Sequence, residues 1–185
     1  MKWFLDHGAN PDAQCGRDCT PLSWAVKDAS FSTIKLLFNH GGTAQRGQLL
    51  HYAAMRELVD QLEVLQFLLD KGLPINNIMY QDRLEDNYLN MYSGIGTPLH
   101  FAAEKGLLDS VKFLVKNGAD PLIKDPTGKL ALHWAEYHNH ATVIEFLHPL
   151  SILSSTPRLD FTDQPGYHFT PVPLEDLARK GWQIV

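Results

Sequence analysis

Thr97-Pro98-Leu99-His100-Phe101-Ala102-Ala103 carries the reading of the fold. Thr97 is a residue type that caps helix N-termini, its side-chain oxygen accepting from an amide that has no partner within the helix. Pro98 suits the first helical position, where its missing N–H costs nothing. Leu99 is placed to point inward, and Ala102 and Ala103 are small enough to let a neighbouring helix come close. Gly106 marks a turn between helices. Val111, Leu114 and Val115 then recur at helical spacing, as the apolar stripe of a second helix does. Gly118 supplies the left-handed residue that ends that helix. Asp120-Pro121 opens a turn.

The same unit returns along the chain. Leu132-His133-Trp134-Ala135 lies 33 residues beyond Leu99. Leu50-His51-Tyr52-Ala53-Ala54 precedes Gly72, and Thr20-Pro21-Leu22-Ser23-Trp24-Ala25 precedes Gly41. Gly8 to Gly41 is again 33 residues, and Leu22 to Gly41 matches Leu99 to Gly118 at 19. The second-helix stripes are Ile34, Leu37 and Phe38, then Leu65, Leu68 and Leu69, and last Val143, Ile144 and Leu147. Pro149 is expected to stop the last of these helices.

A fixed period of this length belongs to stacked repeats. The chain over about residues 1–150 resembles the ankyrin repeat family, whose unit has the same period and a T-P-L-H-x-A signature. The resemblance implies an all-α solenoid of stacked helix–turn–helix units, with β-turn or hairpin fingers projecting from it. The expected divisions are a partial repeat at 1–14 and repeats at about 15–47, 48–78, 92–124 and 125–150. The segment 151–185 is expected to hold a loop, then a C-terminal capping helix or a degenerate partial repeat around Leu174, Leu177, Ala178 and Trp182.

Departures from the pattern are informative. The chain opens inside a repeat, and Trp3, Phe4 and Leu5 then lack a neighbour on one side. It is expected to be a fragment or a truncated gene product, which the sequence upstream of Met1 would test. The finger after Gly41 is short, with 9 residues to Leu50 where the regular interval is 14, and Gln48-Leu49 stands in place of Thr-Pro. The helical hairpin that follows is longer by a turn at Arg56–Gln61. A long finger insert at 77–95 follows, rich in Tyr and Met. Insertions in solenoids map to one face, often the binding face.

Composition narrows the function classes. The chain has 185 residues, a formal net charge of −5 and no run of Lys and Arg. Nucleic-acid binding, which needs clustered basic residues, is not expected. No apolar stretch is long enough to span a bilayer, so no membrane insertion is expected either. The expected location is intracellular, in cytoplasm or nucleus. Cys15 and Cys19 cannot complete a zinc site alone and are read as reduced surface or turn residues. No phosphate-binding glycine loop or nucleophile elbow is present. Of the 9 histidines, His51, His100 and His133 share one repeat position. The resemblance gives them a structural role, bonding turn backbone and linking neighbouring repeats. His138 and His140 form a His-x-His pair with Glu136 nearby, which is too few ligands for a metal centre. Trp24, Tyr52, Phe101 and Trp134 share another repeat position and are read as packing along the stack. No catalytic residue, cofactor or metal is assigned.

The resemblance implies a non-catalytic module or adaptor that binds a protein or peptide on a concave face of fingers and first helices. On the finger tips it points to Arg17, Arg46 and Lys129. On the first helices it points to Lys27, Asp28, Met55 and Arg56, and further on to Glu104, Lys105, Tyr137 and His138. The insert adds Tyr80, Arg83, Tyr88 and Tyr92, and the anchors are expected there and at Met55 and Arg56. Two other readings are open: a regulatory or targeting fragment of a larger enzyme, and, more weakly, a metal-dependent enzyme. The expected state is a monomer, unless the open N-terminal end self-associates.

Overall fold

The computed structural model describes residues 1–14, 18–80 and 95–152. All of these lie in the first of two units into which the chain divides, 1–155 and 156–185. Among the described residues all regular structure is helical: α1 Lys2–Asp6, α2 Pro21–Asp28, α3 Phe31–Asn39, α4 Leu49–Ala54, α5 Gln61–Asp70, α6 Pro98–Glu104, α7 Leu108–Lys116, α8 Ala131–Tyr137 and α9 Ala141–Ile152.

The short helices α2, α4, α6 and α8 pack in sequence, each against the next, and each folds back on the longer helix that follows it. Side-chain size explains this arrangement. The periodic leucines Leu22, Leu50, Leu99 and Leu132 are buried, as are Ala53, Ala54, Ala102, Ala103 and Ala135 between adjacent short helices. Alanine at these points allows close approach without the entropy cost of ordering a long side chain. On the outer helices Ile34, Leu37, Val64, Leu65, Leu68, Val111, Leu114, Val143 and Leu147 complete the core. Phe38, Leu69, Val115 and Ile144 from the expected stripes lie half-buried against it.

The helix-ending glycines Gly8, Gly41, Gly72 and Gly118 all have φ between +80° and +97°, as the left-handed stop requires. Two other expectations need correction. Pro149 lies within α9, which continues to Ile152. The helix tolerates it because Glu145, whose carbonyl loses its partner, and Pro149 are both exposed, so water replaces the missing bond. Thr97 uses its hydroxyl and N–H on the His100 ring, 2.9 and 3.2 Å from Nδ1, instead of accepting from a helix amide. Thr20 does accept as expected, from the Ser23 N–H at 3.1 Å. Of the segment 151–185, only Ser151 and Ile152 fall within the described residues, and they end α9.

The short finger forces a particular backbone. Gly47 and Gln48 both take positive φ, 82° and 53°, before α4 begins. The Ser23 hydroxyl donates to the Gly47 carbonyl at 2.6 Å, tying α2 to this turn. A Cβ on Gly47 would land on Ser23 Oγ and 2.7 Å from Thr20 Oγ1. Gly47→Ala is therefore expected to cost about 2–3 kcal/mol, combining left-handed strain with overpacking. Urea unfolding measures it, and a cost under about 0.5 kcal/mol, the range of ordinary surface changes, would refute the assignment.

Candidate interaction surface

The recurring first-helix side chain fastens each repeat to the next finger. His51 Nε2 lies 2.9 Å from the Asn77 carbonyl, and His100 Nε2 lies 3.1 Å from that of Lys129. A carbonyl only accepts, so Nε2 carries the proton in both rings. In His100 the Thr97 N–H meets Nδ1, which must therefore be unprotonated. In His51, Nδ1 is buried and makes no comparable hydrogen bond, although the Gln48 backbone lies near enough to pull the ring's pKa upward. Both rings are held neutral. Burial lowers the His51 pKa to about 4 and also lowers that of His100, against the opposing pull of their carbonyl bonds. His133 differs: it is exposed, its Nδ1 accepts from Leu130 N–H at 2.9 Å, and it reaches no neighbouring repeat among the described residues.

The finger at 125–129 is built around Asp125. Its Oδ1 accepts from the Thr127 amide and hydroxyl and the Lys129 amide, and its Oδ2 from Trp134 Nε1, all at 2.7–2.9 Å. Burial pushes this carboxyl up, but those bonds outweigh it and the net pKa is lowered. The Trp134 ring also packs edge-on to His100 and Phe101. Of the four aromatic residues at this position, Phe101 and Trp134 are buried, whereas Trp24 remains 53% exposed.

A second fastening joins finger to finger. Asp12, four residues past Gly8, accepts through Oδ2 from the N–H and hydroxyl of Thr43, two residues past Gly41, at 2.9 and 2.7 Å. Asn76 stands in the same relation to Gly72. It accepts from the Asp120 N–H at 2.9 Å and donates to the Gly118 carbonyl at 3.1 Å. Between these two clasps one is missing. The corresponding pair would be Gln45 and Pro74, and proline has no N–H to donate. A cleft of about 540 Å³ opens there. Ala44, Gln45, Arg46 and Gln48 form one wall, and Lys71, Leu73, Pro74, Asn77, Ile78 and Tyr80 the other. Leu49, Leu50 and His51 form its floor, with Asp18 at the back.

The sequence-expected contact residues divide accordingly. Arg46 and Tyr80 line this cleft together. Asp28, Lys105, Lys129, Tyr137 and His138 are exposed, and Lys27, Met55 and Glu104 half-buried. Arg17, Arg83, Tyr88 and Tyr92 lie outside the described residues. Arg56 is a correction, since it is fully buried at 0% exposure and cannot anchor a partner. Its guanidinium chelates Asp60 and donates to the carbonyls of Val26, Lys27 and Ala29 at the C-terminal end of α2. The lengthened turn it supports carries Leu58 and Val59 outward, exposed at 41% and 107%.

The insert is also narrower than the sequence suggests. Met79, Tyr80 and Ile95 are buried, and the Met79 N–H meets the Gly96 carbonyl at 3.0 Å, closing the neck. Met79, Tyr80 and Ile95 thus belong to the scaffold. A pattern reading missed the clasps because Asp12 and Asn76 look like ordinary turn residues.

His138 and His140 stack at 6.1 Å, but His140 is committed to the Glu104 carbonyl at 2.7 Å. Gly106 leaves room for it, since a Cβ there would strike the imidazole. Among the described residues no group of three metal-ligating side chains is gathered. Cys19, expected to be a reduced thiol, is disulfide-bonded. No helix among the described residues is long and apolar enough to cross a membrane.

Comparison with known proteins agrees with the architecture. A family model described as ankyrin repeats matches residues 1–79 and 83–153. The chain is 43% identical over 79 residues, 42% of its length, to the rice (Oryza sativa subsp. japonica) protein named "Probable E3 ubiquitin-protein ligase XBOS33", covering 15% of that protein. It is 36% identical over 90 residues, 46% of its length, to a human espin-like protein, covering 9% of it. It is 26% identical over 148 residues, 79% of its length, to the ankyrin repeat protein nuc-2 of Neurospora crassa, covering 13% of it. The chain thus spans only a small part of these relatives. With the helix pairs, fingers and fastening histidines in one register, the chain belongs to the ankyrin repeat family.

Proposed function

We propose that this chain is a non-catalytic protein-interaction module that receives a segment of a partner protein in the cleft between the fingers at 44–48 and 72–80. Exposed first-helix side chains, Trp24, Asp28, Lys105 and Tyr137 among them, extend the contact. The observation that supports this reading is the missing clasp at Pro74. Everywhere else among the described repeats the fingers are fastened to one another, and here the walls part and leave polar groups open. Arg46, of a residue type enriched at interface hot spots, borders the opening and is exposed.

Two changes test it. Ala44→Trp fills the cleft from a half-buried position and is expected to abolish partner capture in a proximity-labelling comparison with the parent chain, with helicity unchanged by circular dichroism. Excising 81–94 is expected to leave helicity intact because Met79 and Gly96 already meet, and to weaken capture. Equal capture by both variants removes the cleft and the insert as the interface.

A second reading rests on coverage. The relatives are several times longer, and one carries an E3 ubiquitin-protein ligase name. On this reading the module supplies the partner-binding part of a larger protein, and the size of the polypeptide immunoprecipitated from its source separates the two.

A further inference from the structure

We infer that the cleft takes an extended acidic segment of polypeptide, one whose carboxylates alternate with aliphatic side chains. This rests on the reading of the cleft as the interface and adds the chemistry of what enters it.

Charge is the first argument. Within a chain of formal net charge −5, the cleft is bordered by two cations, Arg46 and Lys71, and one carboxylate, Asp18. Asp18 is buried and its oxygens are occupied. Oδ1 accepts from the Gln14 side chain and the Gly47 N–H, and Oδ2 from Gln48 Nε2 at 2.8 Å. It has little left to offer a cationic visitor. His51, on the floor, is neutral.

Unused donors are the second argument. Arg46 is exposed and makes one hydrogen bond, from Nη1 to Gln14 Oε1 at 3.2 Å, so most of its five N–H groups remain open. Gln45 makes none, because its counterpart in the neighbouring finger is Pro74. Lys71 is held in place, its ammonium 4.4 Å from the Phe38 ring centre and 4.7 Å from that of Phe67. A positioned cation loses less entropy on meeting an anion than a free lysine does. Positive charge on both walls, with open donors and a single, already hydrogen-bonded carboxylate among the described lining residues, selects carboxylates and steers them in.

Shape is the third. Leu73 and Ile78 on one wall are half-buried, and Leu49 and Leu50 on the floor are buried. A segment in extended form points successive side chains to opposite sides. It can therefore set carboxylates toward the cations and aliphatic groups toward the leucines.

The experiment uses the full chain and three fluorescein-labelled decapeptides, alternating Glu–Val, Lys–Val and Gln–Val, followed by anisotropy. The Glu–Val peptide is expected to bind, and the other two at least about tenfold more weakly. Arg46→Glu is expected to weaken Glu–Val binding about tenfold, as is raising salt from about 0.05 to about 0.5 M, because these contacts lie near solvent and are screened. Ala44→Trp should abolish binding. If Glu–Val binds Arg46→Glu and Ala44→Trp as well as the parent, the site is wrong. If Gln–Val or Lys–Val binds more tightly and Ala44→Trp blocks it, the acidic assignment fails while the cleft stands as an interface. If no peptide binds, the acidic assignment also fails, and partner capture by Ala44→Trp then decides the broader reading alone.

Discussion

Replacing Arg56 by alanine is expected to cost about 3–5 kcal/mol of folding stability, the range for breaking a buried ion pair by removing one partner. The side chain has no solvent exposure, while Asp60 retains 21%. Nε and Nη2 reach Asp60 Oδ1 at 2.8 and 2.6 Å, and Nη2 also reaches Oδ2 at 2.8 Å. Nη1 donates to the Val26 carbonyl at 2.9 Å and Nη2 to that of Ala29 at 2.7 Å. These carbonyls lie at the C-terminal end of α2, where the helix itself offers no donors. A single guanidinium therefore closes one helix, anchors the long turn before α5, and joins two repeats. Alanine leaves a cavity, several buried acceptors and a partly buried carboxylate, all without partners. Lysine is expected to rescue little, because an ammonium cannot chelate Asp60 and cap α2 in the same plane. Asp60→Asn should cost less, since water reaches that side chain. Urea unfolding gives all three values, and a loss under about 1 kcal/mol for Arg56→Ala, the scale of an exposed pair, would show that the network carries no weight. Any binding defect of this variant should follow its unfolded fraction, which separates a scaffold residue from an interface anchor.

Arg56 also shows where sequence reading stops. The recurring Leu-x-x-Ala motif places Leu22, Leu50, Leu99 and Leu132, because each repeat puts chemically similar residues in equivalent environments even where the 33-residue period between Leu99 and Leu132 is not kept. The helix-ending glycines and the buried second-helix stripes follow for the same reason. Arg56 sits where the period is broken by an inserted turn, so no equivalent position informs it. By default a charged residue at a first-helix end reads as exposed. Its burial depends on carbonyls some 30 residues away in sequence, and no local pattern contains them. The cleft was half legible. The shortened finger and the insert that flank it are visible as irregular intervals. The clasp it lacks becomes visible only after Asp12 is seen on Thr43 and Asn76 on Asp120. Pro74 then changes from a common turn residue into the reason the fingers part. Pro149 makes the opposite case: the rule that proline stops a helix yields where the orphaned carbonyl faces water.

Acidification through pH 6.5 to 4 is expected to remove about 3 kcal/mol of stability through His51 alone. A free imidazole titrates at 6.5, and burial of His51 lowers its folded value to about 4. Above pH 6.5 the ring is neutral in both folded and unfolded chains, and the contribution is complete. As pH falls below 6.5, the unfolded chain takes up a proton that the folded chain refuses, so the balance moves toward unfolding. The loss stops near pH 4, where the folded ring protonates as well. A gap of about 2.5 units corresponds to about 3 kcal/mol. His100, lowered by the same cause, adds to it in the same direction. Two other groups act differently and can be told apart. Asp125, with a lowered folded value, contributes stability that is lost only as pH falls below the free carboxylate value of 3.8. His40 is raised, first by its bond to the Leu36 carbonyl and then by Asp6, so its contribution is present below 6.5 and disappears as pH rises. It is a surface group and only softens the trend. Urea midpoints at pH 7, 5.5 and 4.5 should fall steadily in the parent chain. In His51→Gln the pH 7 midpoint should drop, because the bond to the Asn77 carbonyl is weakened, while the decline toward pH 4.5 becomes shallower. A decline of unchanged steepness in that variant would place the acid sensitivity elsewhere. The lever follows from the fold itself: the ring is kept neutral beneath the cleft by burial, so the proton it excludes is taken up only on unfolding.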